Sequence, residues 1–308
     1  MRATIALLLL LSTSSAEAYV RSRTSGSTAI KFDSACVFVQ ADTAGSVDVA
    51  FSDVTTVIDK CISNWQGIST CSYLELKQAA AADQGAAYDG KNVVQFLSDK
   101  WCHPADKTSP ERCYDSAAAA ITTVFFLDRP KEEHDGTIID ADIEMNEVNF
   151  TFIQSPTAKT VRKGTAEADF ENTLTHEMGH LMGLDHTCAD SSTPANALDN
   201  NGVRPVSCDQ LKTLAAAARS VIEEATMFNR ATPGETKKRT PEADDIAGIC
   251  EAYPSSGKVP TRCAPVDLAS YNSGCQIAPS SSAPAWPSLL LLGVVGFVLA
   301  RRLRRRAA

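Results

Sequence analysis

Three of the chain's five histidines fall within eleven residues, HEMGHLMGLDH, positions 176–186. Imidazole is the commonest protein ligand for a borderline metal ion, so the spacing of these three decides what they can hold. On a helix, positions four apart differ by about 40° in direction, which points His176 and His180 the same way. His186 does not fit a continuation of that helix, because ten residues on it would lie about 15 Å along the axis and face roughly 80° aside. The chain must therefore reverse after His180. Gly183 is where it can, since glycine accepts the left-handed conformation that ends helices. His186 then returns as a third ligand.

Three neutral imidazoles about 2.0–2.1 Å from Zn²⁺ leave a fourth position for water, the arrangement of a catalytic site rather than a structural one. Water bound there has its pKa lowered from 15.7 to about 7. Glu177, beside the ligand face, is expected to be the general base that takes the water's proton and later gives it to a leaving amine. One catalytic zinc ion is thus the expected cofactor. In a chain of this composition a fortuitous H-E-x-x-H is about a one-in-two-hundred event. Fixing the glycine and third histidine as well lowers that to roughly a few in a million, which sets aside a merely polar helix surface.

Positioning these groups takes a helix that opens near Asp169. Upstream, Ala35–Asp42, Asn92–Phe96 and Ala119–Leu127 read as strands. Ser52 reads as the cap of a helix whose Val54, Ile58, Cys61, Ile62 and Trp65 recur on one face. GTIIDADIEMN (Gly136–Asn146) alternates apolar and acidic positions, as an edge strand does when one face is wet. Asp140 and Asp142 on it have the oxygen donors that suit calcium, but they read more simply as its solvent face. Residues 190–205 are rich in Asn, Asp, Ser and Pro and form a loop. Cys208–Ala225 reads as a helix, and a last helix starts at Thr240-Pro241 and runs to about Tyr253. Strands with an early helix, then helices, make an α+β domain with a mixed sheet above helices. His103 and His134 read as exposed loop histidines, and Asp185 as a residue that orients the loop of the last ligand.

Both ends look like addresses. Arg2, the apolar run Ile5–Leu11 and Ala16-Glu17-Ala18 form a secretory signal, so the mature chain is expected to start near Tyr19. Leu289–Ala300 is apolar and leads into five arginines, which reads as a transient membrane anchor. Net charge is −8, and removing the tail's five arginines leaves −13 for residues 19–275, which argues against nucleic acid as a partner. The ten cysteines of an exported chain point to an oxidised framework. Proximity pairs Cys188 with Cys208, Cys250 with Cys263 and Cys102 with Cys113. One of Cys36, Cys61 and Cys71 then stays free or pairs elsewhere, with Cys275 in the tail.

H-E-x-x-H-x-x-G-x-x-H, spelled by His176, Glu177, His180, Gly183 and His186, resembles the metzincin zinc-peptidase signature. EATMFNR supplies Met227 where such enzymes have a structural methionine turn under the metal. DDIAGICEAYP (Asp244–Pro254) looks like the last helix of matrixins, GTIIDADIEMN like their substrate-side edge strand, and WQG at Trp65 belongs to the same likeness over about residues 30–254. The resemblance implies a zincin-like catalytic domain: a mixed twisted sheet with an antiparallel edge strand, an active-site helix and a C-terminal helix. It implies endopeptidase action on an extended peptide that adds as a strand beside the edge strand. Three departures stand out. Asn229, not tyrosine, follows two residues after Met227; forty residues separate His186 from Met227; and no P-R-C-G-x-P-D switch is present. Cys36 as a latency switch is outweighed by its reading as a disulfide cysteine. Gly274-Cys275, a Ser/Ala/Pro spacer, an apolar run and an arginine cluster resemble the MYXO-CTERM sorting tail.

The expected organisation is a signal at 1–18, a peptidase domain at 19–256, a disulfide-tethered Ser/Pro-rich linker at 257–282 and a sorting tail at 283–308. A monomer exported to the cell surface, outer envelope or medium, acting on protein or peptide substrates, is the expectation. The rival is a surface adhesin or binding module that keeps zinc for stability only, and Glu177 argues against it.

Overall fold

A stripe of Val54, Val57, Ile58, Cys61, Ile62 and Trp65, all buried, shows how the first helix is fixed: one apolar face recurring every three to four residues against a sheet. The computed structural model describes residues 18–105, 110–154, 161–271 and 277–279. In chain order the elements begin with β1 (Val20–Arg21), β2 (Lys31–Phe32), β3 (Cys36–Ala41), α1 (Phe51–Gln66), β4 (Glu75–Gln78) and β5 (Asn92–Leu97). There follow β6 (Cys102–His103), β7 (Arg112–Cys113), β8 (Ala120–Leu127), β9 (Thr137–Asn146), β10 (Phe150–Ile153) and β11 (Ala166–Asp169). The rest are α2 (Phe170–Leu181), β12 (Leu184–Asp185), β13 (Leu198–Asp199), α3 (Ala216–Glu224), α4 (Ala243–Ala252) and β14 (Ile277–Pro279).

The main sheet runs β14-β8-β9-β5-β3-β4, with β2 also pairing β9. β4, β3, β5 and β9 are mutually parallel and β8 is antiparallel to β9, so the mixed sheet expected of an α+β chain is present. Helices α1 and α2 pack on one face of it, and the Trp65 indole nitrogen donates to Thr175 O (3.0 Å), locking the two helices together.

β9 corrects the sequence expectation. It is no edge strand but lies between β8 and β5, with every residue buried. Asp140 and Asp142 are 0% and 1% exposed, so they are not its solvent face. Backbone reaches both: Asp140 Oδ2 takes the N–H groups of Asp89 and Gly90 (both 2.7 Å) while its Oδ1 is buried without a partner, and Asp142 takes those of Ala87 (2.8 Å) and Val93 (2.9 Å). The loop before β5 thus covers a row of acids that alternation alone assigns to water. Glu144, next on that face, accepts from Tyr114 Oη (2.5 Å) and lies 3.3 Å from His103 Nδ1. His103 is therefore a half-buried neighbour of a buried carboxylate, not an exposed loop residue, whereas His134 keeps a side chain 43% exposed.

Other boundaries shift for local reasons. Ala50 precedes α1, and Ser52 sits in the first turn with its carbonyl accepting from the Thr55 and Thr56 hydroxyls. The last helix starts two residues later than Thr240-Pro241 suggests, because Glu242 and Asp245 form a capping box. Cys208–Ala225 splits into a 3₁₀ turn (Cys208–Thr213) and α3, with Leu214 extended between them. Two expected disulfides form, Cys102–Cys113 and Cys188–Cys208. Cys250 and Cys263 do not pair with each other: Cys250 bonds Cys71 and Cys263 bonds Cys36, leaving Cys61 free and buried. Nearness in sequence fails here because the chain after α4 doubles back beside β3, where Ala35 N–H donates to Arg262 O (2.9 Å). Cys36 is thus disulfide-bonded. No helix among the described residues is long and apolar enough to cross a membrane, while the signal, Cys275 and the arginine tail lie outside them.

Candidate metal centre

α2 opens where Asp169 accepts from Asn172 N–H (2.8 Å), a side-chain cap on the first turn. Arg239 grips the same carboxylate (Nε to Oδ1, 2.9 Å), and this partnership raises the arginine's pKa. The helix ends at Leu181, and Gly183 follows at φ +93° with its Cα so close to Ile30 O that any Cβ would lie 2.5 Å from it. Gly183 thus reverses the chain as its position predicts, and β12 carries the next residues back to His186.

The three histidines come together. Nε2 of His186 lies 3.3 Å from that of His176 and 3.2 Å from that of His180. Those separations fit a common ion: ligands at about 2.0–2.1 Å in a tetrahedral shell are spaced by about 3.3–3.4 Å. The outer nitrogens fit as well. His176 Nδ1 donates to Thr226 O (2.6 Å) and His180 Nδ1 to Leu184 O (3.0 Å), while His186 Nδ1 faces Asp190 Oδ2 at 3.6 Å. A proton fixed on Nδ1 leaves the Nε2 lone pairs aimed at one point. Burial, then neighbouring positive groups, holds His176 and His180 below the usual histidine pKa, which keeps them neutral. Asp190 is held well below the carboxylate range: burial works against this, but the His186 imidazole facing it and hydrogen bonds from Ser192 and Asn229 prevail.

Glu177 is buried next to this point, and Thr122 of β8 donates its hydroxyl to Oε2 (2.6 Å). Ala120, Ile121, Thr122 and Val124 of β8 form one wall of a cleft whose floor includes Glu177, His180 and His186. Asp185 does orient the ligand loop: Oδ1 accepts from His186 N–H (2.7 Å), and Oδ2 from Ser22 Oγ (2.8 Å) beside β1.

Met227 is fully buried beneath the site. Asp245 of α4 accepts the N–H groups of Thr226 (2.7 Å) and Met227 (3.0 Å), which presents Thr226 O to His176. Sequence reasoning does not find Gly179, Thr122, Asp190, Asn229 or Asp245 as parts of the site. Gly179 carries a signal: a glycine inside a helix costs about 1 kcal/mol relative to alanine, so it needs a packing reason. That reason is Met227, whose Sδ would stand 2.2 Å from a Cβ on Gly179. Two other groupings among the described residues set a carboxylate beside two cysteines, but those sulfurs are the Cys36–Cys263 and Cys102–Cys113 disulfides; neither includes Asp140 or Asp142.

No protein-family model matches the chain, and no curated protein matches it.

Proposed function

We propose that the chain is an exported zinc-dependent endopeptidase of metzincin, matrixin-like kind. The observation that carries this reading is the convergence of His176, His180 and His186 at tetrahedral spacing with Glu177 alongside. The sheet supports the likeness: its antiparallel strand β8 (Ala120–Leu127) flanks the cleft, where the resemblance puts the substrate-side strand, and Gly136–Asn146 does not. Four disulfides suit an oxidising compartment.

The three imidazoles would hold the ion. Bound zinc supplies a water acidic enough to deprotonate near neutral pH and a charge that polarises a carbonyl. The Glu177 carboxylate would accept a proton from the attacking water and return it to the amine as the peptide bond breaks. Thr122 of the cleft wall holds Glu177 through Oε2. The β8 edge offers backbone groups to an extended peptide, which fixes the scissile bond's direction.

The test uses the purified exported chain and its Glu177→Ala variant, with zinc measured per chain and casein digestion followed on gels. One zinc per chain in both, with digestion lost about 10²–10⁴-fold in the variant, is expected. Digestion unchanged by the substitution, or a parent chain without zinc, overturns the proposal.

A further inference from the structure

Two of the three imidazoles depend on a strand of only two residues. Leu184 O accepts from His180 Nδ1 (3.0 Å), and Asp185 Oδ1 accepts from the His186 N–H (2.7 Å). Leu184 and Asp185 are the whole of β12, directly after the chain reversal at Gly183. A strand so short has no stability of its own, so its course is set by what it is bound to.

Its sheet partner is β1. Val20 stands opposite Asp185 and Arg21 opposite Leu184, while β13 closes the other side of β1. β1 is thus the middle strand of a small three-stranded sheet. It also ties down the reversal. Arg21 Nε donates to Gly183 O (3.3 Å) and Nη2 to Ile30 O (2.7 Å), and the Ser22 N–H adds a second donor to Gly183 O (3.4 Å). Ile30 O is the atom that a Cβ on Gly183 would strike, so one guanidinium holds both sides of that close contact. Ser22 Oγ then donates to Asp185 Oδ2 (2.8 Å), whose other oxygen holds the His186 N–H.

Arg21 is 2% exposed and, among the described residues, forms no ion pair. A buried cation without a carboxylate is costly, and an apolar side chain of similar size would serve the fold alone at least as well. What the guanidinium supplies instead is its grip on two carbonyls at the reversal.

We infer that Arg21 and Ser22 are positioning residues of the metal centre: the N-terminal strand fixes the reversal at Gly183 and, through it, the aim of His180 and His186. The inference rests on the zinc reading for the ion; the contacts stand without it.

The experiment compares the purified exported chain with its Ser22→Ala, Ser22→Thr and Arg21→Met variants. Zinc affinity is read with a competing chelator, the shape of the site by the visible absorption of bound cobalt(II), and folding by thermal unfolding without metal. Loss of an outer partner of a metal ligand weakens binding about 10–100-fold. Ser22→Ala is therefore expected to raise the zinc dissociation constant at least about tenfold, and Arg21→Met further, with the four-coordinate cobalt band weakened in both. Ser22→Thr keeps the hydroxyl and is expected to bind as the parent does. Zinc held by Ser22→Ala and by folded Arg21→Met as tightly as by the parent overturns the inference, whatever their unfolding temperatures. Ser22→Ala decides alone if Arg21→Met does not fold. A parent that binds neither ion overturns the zinc reading, and this inference with it. Weakened binding in the variants of a chain that digests no casein upholds the positioning role and removes the peptidase reading instead.

Discussion

Gly179→Ala sets two physical effects against each other inside the ligand helix. Helix propensity alone favours alanine by about 1 kcal/mol. Packing opposes it, because the new methyl group would lie 2.2 Å from Met227 Sδ and 3.1 Å from its Cε. Ordinary carbon contacts need about 3.5–4.0 Å, so one side must move by about 1.5 Å. Met227 has nowhere to go: it is fully buried, its N–H is held by Asp245 at 3.0 Å, and Trp65 closes the same space with an atom 3.4 Å from the new Cβ. Overpacking of this kind costs about 1–3 kcal/mol, and the fixed surroundings put it at the upper end. The net loss is about 2 kcal/mol, or about 4–8 °C in Tm for a domain of this size. If the turn yields instead of the helix, Thr226 O leaves His176 Nδ1 and zinc is held less tightly. Thermal unfolding and titration with a competing chelator read both routes. A variant as stable as the parent, with unchanged zinc affinity, refutes the packing argument.

Two further perturbations address Glu177, the proposed general base, and the acidic row. Thr122→Val keeps shape but removes the hydroxyl that donates to Glu177, a charge-assisted bond worth about 1.5 kcal/mol, so kcat/KM should fall about tenfold with zinc content unchanged; an unaltered rate denies Thr122 its positioning role. Asp140 has its pKa pushed up to about 7, chiefly by burial. A carboxyl that holds its proton more tightly folded than unfolded favours the native state at low pH, and that advantage is lost as pH rises from about 4 through about 7. An asparagine in its place keeps an oxygen for the Asp89 and Gly90 N–H groups, because both bind the same Oδ2. Asp140→Asn should therefore flatten the fall in stability between about pH 4 and about pH 7, measured by denaturant unfolding at several pH values, and an unchanged slope counts against it.

What is legible in the sequence is whatever is encoded locally. The ligand set sits in eleven consecutive residues, where helical spacing and one left-handed glycine decide the geometry. The stripe on α1 and the start of α2 near Asp169 are legible for the same reason. Alternation in β9 correctly marks a strand, but period two says only that a face is polar, not what satisfies it. The N–H groups of Ala87, Asp89, Gly90 and Val93 that bury Asp140 and Asp142 lie some fifty residues away, and nothing in GTIIDADIEMN announces them. Disulfide pairing fails in the same way: proximity finds the short loops and misses the two bridges that span most of the chain.

The geometry of the centre depends most on what the sequence hides. His180 is oriented by Leu184 O, inside its own turn, but the other two ligands lean on residues 226–229. His176 is set by Thr226 O, and His186 faces Asp190, which the Asn229 amide holds in place. That short segment has no regular structure, so its conformation must be imposed from outside. Asp245 imposes it at one end through two backbone N–H groups, and at the other the buried Lys238 ammonium donates to Arg230 O (2.8 Å) and to Phe228 O. Burial of Lys238 lowers its pKa to about 8. The cross-links from α4 and from residues 237–239 thus hold the turn beneath the three histidines at the end of a forty-residue connection from His186 to Met227. Any metal affinity of the proposed centre is thereby coupled to docking of the C-terminal third, since His176 loses Thr226 O and Asp190, which faces His186, loses the Asn229 amide when it leaves.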